Sequence, residues 1–218
     1  MLKIKLFKIL ACISIIFGKV LPSTPWETLL QGNKKFIKDN VHNKSRAKYS
    51  NHQEPCCIVL TGSDSRVSPE AIFQQGIGTM FTVRVAGNVV DDVVIDTIEY
   101  AVTHFKSTTL IVMGHTNCGA VIGALKRLKT NKGKVVVPAN KNHLNAVLLP
   151  IEKAIKAVRI DINSTNALEL ATKANINYAA QQLLLKSKHI KKAVKTGKIK
   201  LIKAEYNVST GVVATLPK

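Results

Sequence analysis

Apolar residues follow two rhythms along this chain. Short runs rich in apolar residues at 57–60, 80–85, 109–113 and 199–204 have the length and closure of strands. Longer stretches show helical spacing. In 91–105, Val94, Ile95, Ile98, Ala101 and Val102 share one face, and Asp91 and Asp92 suit the positive end of a helix. In 25–40, Trp26, Leu29, Leu30 and Phe36 make an apolar stripe behind Pro25, a residue favoured at a helix start. Further helices are predicted at 117–128, 144–158 and 167–185. Residues 46–54 are polar and read as a loop, and 61–65 are turn residues. The stretch 186–203 holds eight lysines and no acid, and reads as a solvated face and loop. Strands that alternate with helices predict an α/β fold: a single domain over 24–218, with a central, mainly parallel β-sheet flanked by helices. No internal repeat or linker interrupts it.

In such sheets the chemistry gathers at the carboxyl ends of strands. Three polar clusters fall there: Gly62-Ser63-Asp64-Ser65-Arg66, the run from Arg84 to Asn88, and Gly114-His115-Thr116-Asn117-Cys118-Gly119. His115 and Cys118 lie three apart across a strand-to-helix turn. An imidazole and a thiolate at that spacing can share a metal ion, usually zinc. A turn histidine and a buried cysteine also satisfy the spacing. Asp64 and Arg66, two apart in a loop, can form a charge-assisted pair that keeps the carboxylate ionised; an ordinary surface ion pair is the alternative.

Composition narrows the classes. Of 218 residues, 46% are hydrophobic and 21% charged, which excludes disordered, collagen-like and coiled-coil chains. Lys and Arg total 32 against 13 Asp and Glu, a net charge of +19. Only Arg46, Arg66, Arg84, Arg127 and Arg159 are arginine. Nucleic-acid sites favour arginine, so no nucleic-acid partner is expected. Residues 1–23 pair a basic start (Lys3, Lys5, Lys8) with an apolar run from Ile9 to Gly18, the pattern of a signal peptide. Export to the periplasm or medium is expected, with membrane contact only through that segment if it stays uncleaved. The four cysteines, Cys12, Cys56, Cys57 and Cys118, are too few for a disulfide scaffold. Cys56 and Cys57 read as small buried hydrophobes.

The segments SDSRV (63–67), PE (69–70), VR.AGN (83–88), EYAV (99–102) and GHTNCGA (114–120), in that order, resemble the β-class carbonic anhydrases. LLQGNKKF (29–36) is similar to the family's first-helix segment, and EYNVSTGVV (205–213) to its last strand and turn. The resemblance implies a zinc enzyme, a lyase that interconverts carbon dioxide and bicarbonate. It also implies a homodimer or higher oligomer with the first helix laid across a partner. In that family two cysteines and a histidine hold Zn²⁺, and His115 and Cys118 match two of the three. Asp64 and Arg66 match the family's catalytic dyad. Gln53, Arg84 and Gly119 fall at substrate-pocket positions, and the deepest pocket is expected between His115, Asp64 and Arg84, lined by a neighbouring subunit.

One departure is grave. The cysteine that opens the family's C-x-D-x-R motif is Gly62 here. Cys57 lies five residues upstream, roughly 16 Å along a strand, too far to substitute. Either Asp64 becomes the third metal ligand beside His115 and Cys118, or zinc is lost and the chain is a non-catalytic binder of bicarbonate or another anion. A lesser departure is Val85, where the family has asparagine.

Overall fold

The computed structural model describes residues 24–137 and 144–217. The expected signal segment, 1–23, lies outside the described residues. The chain divides into two compact units, the first ending at Lys44 and the second beginning at Ser45. In the first, helix α1 (Pro25–Lys38) starts at a capping box. Thr24 Oγ1 accepts from Glu27 N at 3.2 Å, and Glu27 Oε2 accepts from Thr24 N at 2.7 Å. This reciprocal pairing satisfies donors that a helix start leaves free. No residue of α1 is buried, and Trp26, Leu29, Leu30 and Ile37 are exposed. A second helix, α2 (Asn40–Lys48), follows; it takes in the first residues of the expected 46–54 loop.

The second unit is an α/β layer structure. Its strands are β1 (Cys57–Thr61), β2 (Met80–Arg84), β3 (Thr109–His115), β4 (Lys200–Tyr206) and β5 (Val213–Thr215). They lie in the order β2-β1-β3-β4-β5. The first four are parallel, and β5 runs antiparallel to β4. The helices are α3 (Pro69–Ile72), α4 (Asp92–His104), α5 (Gly119–Thr130), α6 (Asn145–Ala157), α7 (Ala167–Lys186) and α8 (Lys188–Lys195). Helix α4 begins as its acidic start predicts: Asp91 caps it by accepting from Val94 N at 2.8 Å. Helix α8 occupies part of the lysine-rich stretch expected as face and loop.

The predicted apolar faces supply the core. Ile58 and Leu60 of β1 and Leu110 and Val112 of β3 are fully buried among Ile98 of α4, Ile176 and Leu183 of α7 and Ile190 of α8. A second cluster joins α5, α6 and α7 through Leu128, Ile151, Ile155 and Ala171. Each buried aliphatic side chain contributes about 1.5–3 kcal/mol relative to exposure.

Register places the chemistry. Thr61 pairs with Arg84 on one side and Met113 on the other, so β1, β2 and β3 end together. Strand β3 then runs two residues further, to His115. The three polar clusters therefore leave the sheet at one edge.

Candidate active site

The edge is built from backbone outward. Thr61, fully buried, donates from Oγ1 to Met113 O at 2.8 Å and ties the ends of β1 and β3. Arg84 braces the loop after β1, donating from Nε to Gly62 O at 3.2 Å and from Nη2 to Asp64 O at 2.8 Å. Asn117, between the metal-ligand candidates, takes φ 55°, a left-handed turn that asparagine tolerates. That turn sets Cys118 at the N-cap of α5.

Asp64 and Arg66 form the expected pair. Asp64 Oδ1 accepts from Arg66 Nε at 2.9 Å and from its backbone N at 3.0 Å; Oδ2 accepts from Nη2 at 2.7 Å. These bonds hold the Asp64 carboxyl well below the usual carboxylate range. Arg66 Nη2 also reaches Asn117 O at 3.4 Å, linking two of the clusters.

His115 is 1% exposed. Its Nδ1 lies 3.0 Å from Thr116 O, and a carbonyl only accepts, so Nδ1 carries a proton. The neutral ring then keeps its lone pair on Nε2, the tautomer a metal ligand needs. Nε2 is buried with no hydrogen-bond partner among the described residues, and Asp64 Oδ2 stands 3.9 Å away. Burial pulls the His115 pKa down, but the Cys118 sulfur, the Thr116 carbonyl and Asp64 together outweigh it, and the net shift is upward. Cys118 is 4% exposed. Burial raises its thiol, yet His115 and the Val121 and Ala120 backbone amides outweigh that and lower it.

Gly62 faces this pair. A Cβ added there would stand 3.2 Å from His115 Nε2 and 3.3 Å from Cδ2. A side chain at position 62 would thus point at the orphaned nitrogen. Cys57 sits at the far end of β1, half-buried, its thiol pushed up to about 12 by burial and by Cys56. It cannot take that role. Cys56 is exposed, not buried as expected, because it precedes the strand.

Two other expectations concern a pocket that a second chain would help to line. Gln53 precedes β1 and lines a cavity of about 350 Å³ with His52, Cys56 and Phe105, at the opposite end of that strand from Asp64. A larger cavity, about 530 Å³, is lined by Thr116, Asn117, Glu169 and Glu205, not by His115, Asp64 and Arg84. Gly119 opens α5 beside Cys118, with open space where a Cβ would stand. Val85 packs against the two main apolar clusters.

A family model for carbonic anhydrase matches residues 57–213, most of the chain. The chain belongs to the β-carbonic anhydrase family. It is 32% identical over 195 residues to a carbonic anhydrase of Mycolicibacterium smegmatis, covering 87% of this chain and 91% of that protein. It is 41% identical over 109 residues to carbonic anhydrase 2 of Mycobacterium tuberculosis, covering 48% of this chain and 53% of the other. Among solved structures, the Coccomyxa β-carbonic anhydrase bound to acetazolamide superposes with a TM-score of 0.75 at 24% identity, covering 90% and 88% of the two chains. A β-carbonic anhydrase of Sordaria macrospora, from a study of two tetrameric enzymes, gives 0.73 at 22% identity, covering 88% and 97%.

β-Carbonic anhydrases are zinc enzymes, and this chain offers zinc two donors as it stands and a third that is engaged. His115 Nε2, buried and unpartnered, and Cys118, with a lowered pKa, suit the metal as they stand. Among the described residues no three His, Cys, Asp or Glu side chains are gathered to hold an ion. Asp64, the remaining donor, is engaged by Arg66.

Proposed function

We propose that this chain catalyses the reversible hydration of carbon dioxide to bicarbonate, with zinc held by His115, Cys118 and Asp64. The observation that carries this reading is the buried, unpartnered His115 Nε2 facing Asp64 Oδ2 at 3.9 Å, over a glycine where the family has its other thiolate. One thiolate and one carboxylate bring the same charge as two thiolates, and zinc accepts sulfur, nitrogen and oxygen. Zinc, when bound, supplies a water of lowered pKa and so the nucleophile. The chain's own residues do the rest. The Thr116 carbonyl fixes the His115 tautomer. Backbone amides at the start of α5 stabilise the Cys118 thiolate. Asp64 would complete the ligands by exchanging Arg66 for the metal, and the guanidinium so freed would hold the bicarbonate anion together with Arg84. Stopped-flow hydration assays on wild type and Cys118→Ala test this. Activity that depends on zinc and falls to the uncatalysed rate in the variant supports it; equal rates refute it.

A second reading, a non-catalytic anion binder, is favoured by one observation: Arg66 grips Asp64 through both carboxylate oxygens. It requires saturable bicarbonate binding without zinc, lost in Arg66→Ala.

The working form is a homodimer or larger. The unburied apolar side of α1 supports this, and an assembly gives Gln53 the site of a second copy to line. The basic and apolar segment 1–23 supports export to the periplasm or medium.

A further inference from the structure

Helix α8 turns the lysine-rich stretch into a surface of defined shape. Lys188, Lys191, Lys192 and Lys195 fall at i, i+3, i+4 and i+7, which is one face of a helix. All four are exposed, while Ile190 and Ala193 on the other side are buried in the core. Ser187 caps the helix, accepting from Ile190 N at 2.9 Å. The nearby acids are turned elsewhere. Glu99 meets His189 Nδ1 at 3.3 Å and accepts from Ser187 Oγ, and Asp92 meets Lys186 at 3.8 Å. Among the described residues no carboxylate pairs with any of the four stripe lysines.

We propose that this stripe is a docking surface for an anionic phospholipid bilayer. Residues 186–203 contain no arginine, so the surface offers hydrated point charges without the planar forks that read phosphates and bases. That suits a diffuse plane of headgroups better than a nucleic acid. Leu185, 66% exposed in the last turn of α7 and two residues before the cap of α8, offers an apolar contact for the interface. Each lysine near an anionic bilayer tightens binding roughly fivefold, so four supply a factor on the order of several hundred. The attraction is screened within about 10 Å at 0.1 M salt, so docking is reversible and salt-sensitive.

The test is co-sedimentation of the full chain with vesicles of phosphatidylglycerol and phosphatidylcholine, compared with phosphatidylcholine alone. Three proteins are compared: wild type, Lys188→Gln/Lys191→Gln/Lys192→Gln/Lys195→Gln, and Lys126→Gln/Lys129→Gln/Lys153→Gln/Lys156→Gln, which removes the same charge elsewhere. Wild type should bind the anionic vesicles at low salt and release at 0.5 M. The stripe variant should bind at least tenfold more weakly with an unchanged melting temperature, and the control variant should bind within threefold of wild type. Equal loss in both variants assigns the effect to net charge and overturns the proposal. So does equal binding to neutral vesicles, which would belong to the apolar segment 1–23. Failure to bind anionic vesicles, with salt-sensitive binding to homopolymeric RNA, also overturns it.

Discussion

Restoring a thiolate at position 62 is the most informative perturbation of this site. The backbone there is not left-handed, so Gly62→Cys meets no conformational strain. Its Cβ would stand 3.2 Å from His115 Nε2 and 3.3 Å from Cδ2, so the ring must retreat by a few tenths of an ångström. The crowding costs the zinc-free protein no more than ~1–3 kcal/mol. Zinc reverses the balance. Loss of a residue that merely supports a metal ligand costs 10–100-fold in affinity, and a direct ligand is worth more. Affinity for zinc should therefore rise at least about 100-fold, equivalent to ~2.7 kcal/mol of added stability when zinc is saturating for both proteins. Set against the crowding cost, the net gain is between about 0 and 2 kcal/mol, so for a chain of this length zinc-loaded Gly62→Cys should melt no more than about 7 °C above zinc-loaded wild type, and the affinity is the sharper readout. Competition titration against a chromophoric chelator reads the affinity, and calorimetry in buffered zinc reads the melt. A variant whose zinc affinity stays within threefold of wild type refutes the assignment of position 62 as the place of a metal ligand.

Other consequences are sharp enough to check. Asp64 has a folded pKa below its unfolded value, so its contribution is complete above about pH 4 and is lost as pH falls through the lower folded value. Between pH 5 and pH 2, zinc-free wild type should lose more melting temperature than Asp64→Asn; parallel curves count against the Arg66 clamp. A Cβ on Gly114 would lie 2.6 Å from Ile176 Cγ1, so Gly114→Ala should cost ~1–3 kcal/mol in urea unfolding. A neutral result would mean that α7 yields at that point. Leu29→Glu with Leu30→Glu should lower the mass seen by light scattering to that of one chain; an unchanged mass excludes α1 from the interface.

The order of strands and helices was legible because each apolar run has one period and one buried face. Ile98 and Leu110 sit in the core where their spacing placed them. The polar clusters were legible for a related reason: a parallel sheet collects its loops at one edge. What escaped the sequence was orientation across elements. Gln53 reads as a pocket residue in linear order, but it precedes β1 and its chain's site follows that strand. Cys56 and Cys57 have one composition and two environments, because only the second belongs to the strand. The stretch 186–203 shows only charge in sequence; its helix appears once Ile190 and Ala193 find the core. The Asp64–Arg66 pair was expected from its spacing, but that Arg66 engages both carboxylate oxygens was not. The departure at Gly62, by contrast, was visible from a single letter, because the residues around it keep the motif.

Zinc content per chain tests the account most directly. The protein would be purified without chelator, supplied with zinc, freed of excess metal and measured beside Cys118→Ala and Asp64→Ala. The account predicts close to one zinc per wild-type chain and little in either variant. Wild type with no zinc would contradict it, and so would full occupancy that survives the loss of Cys118.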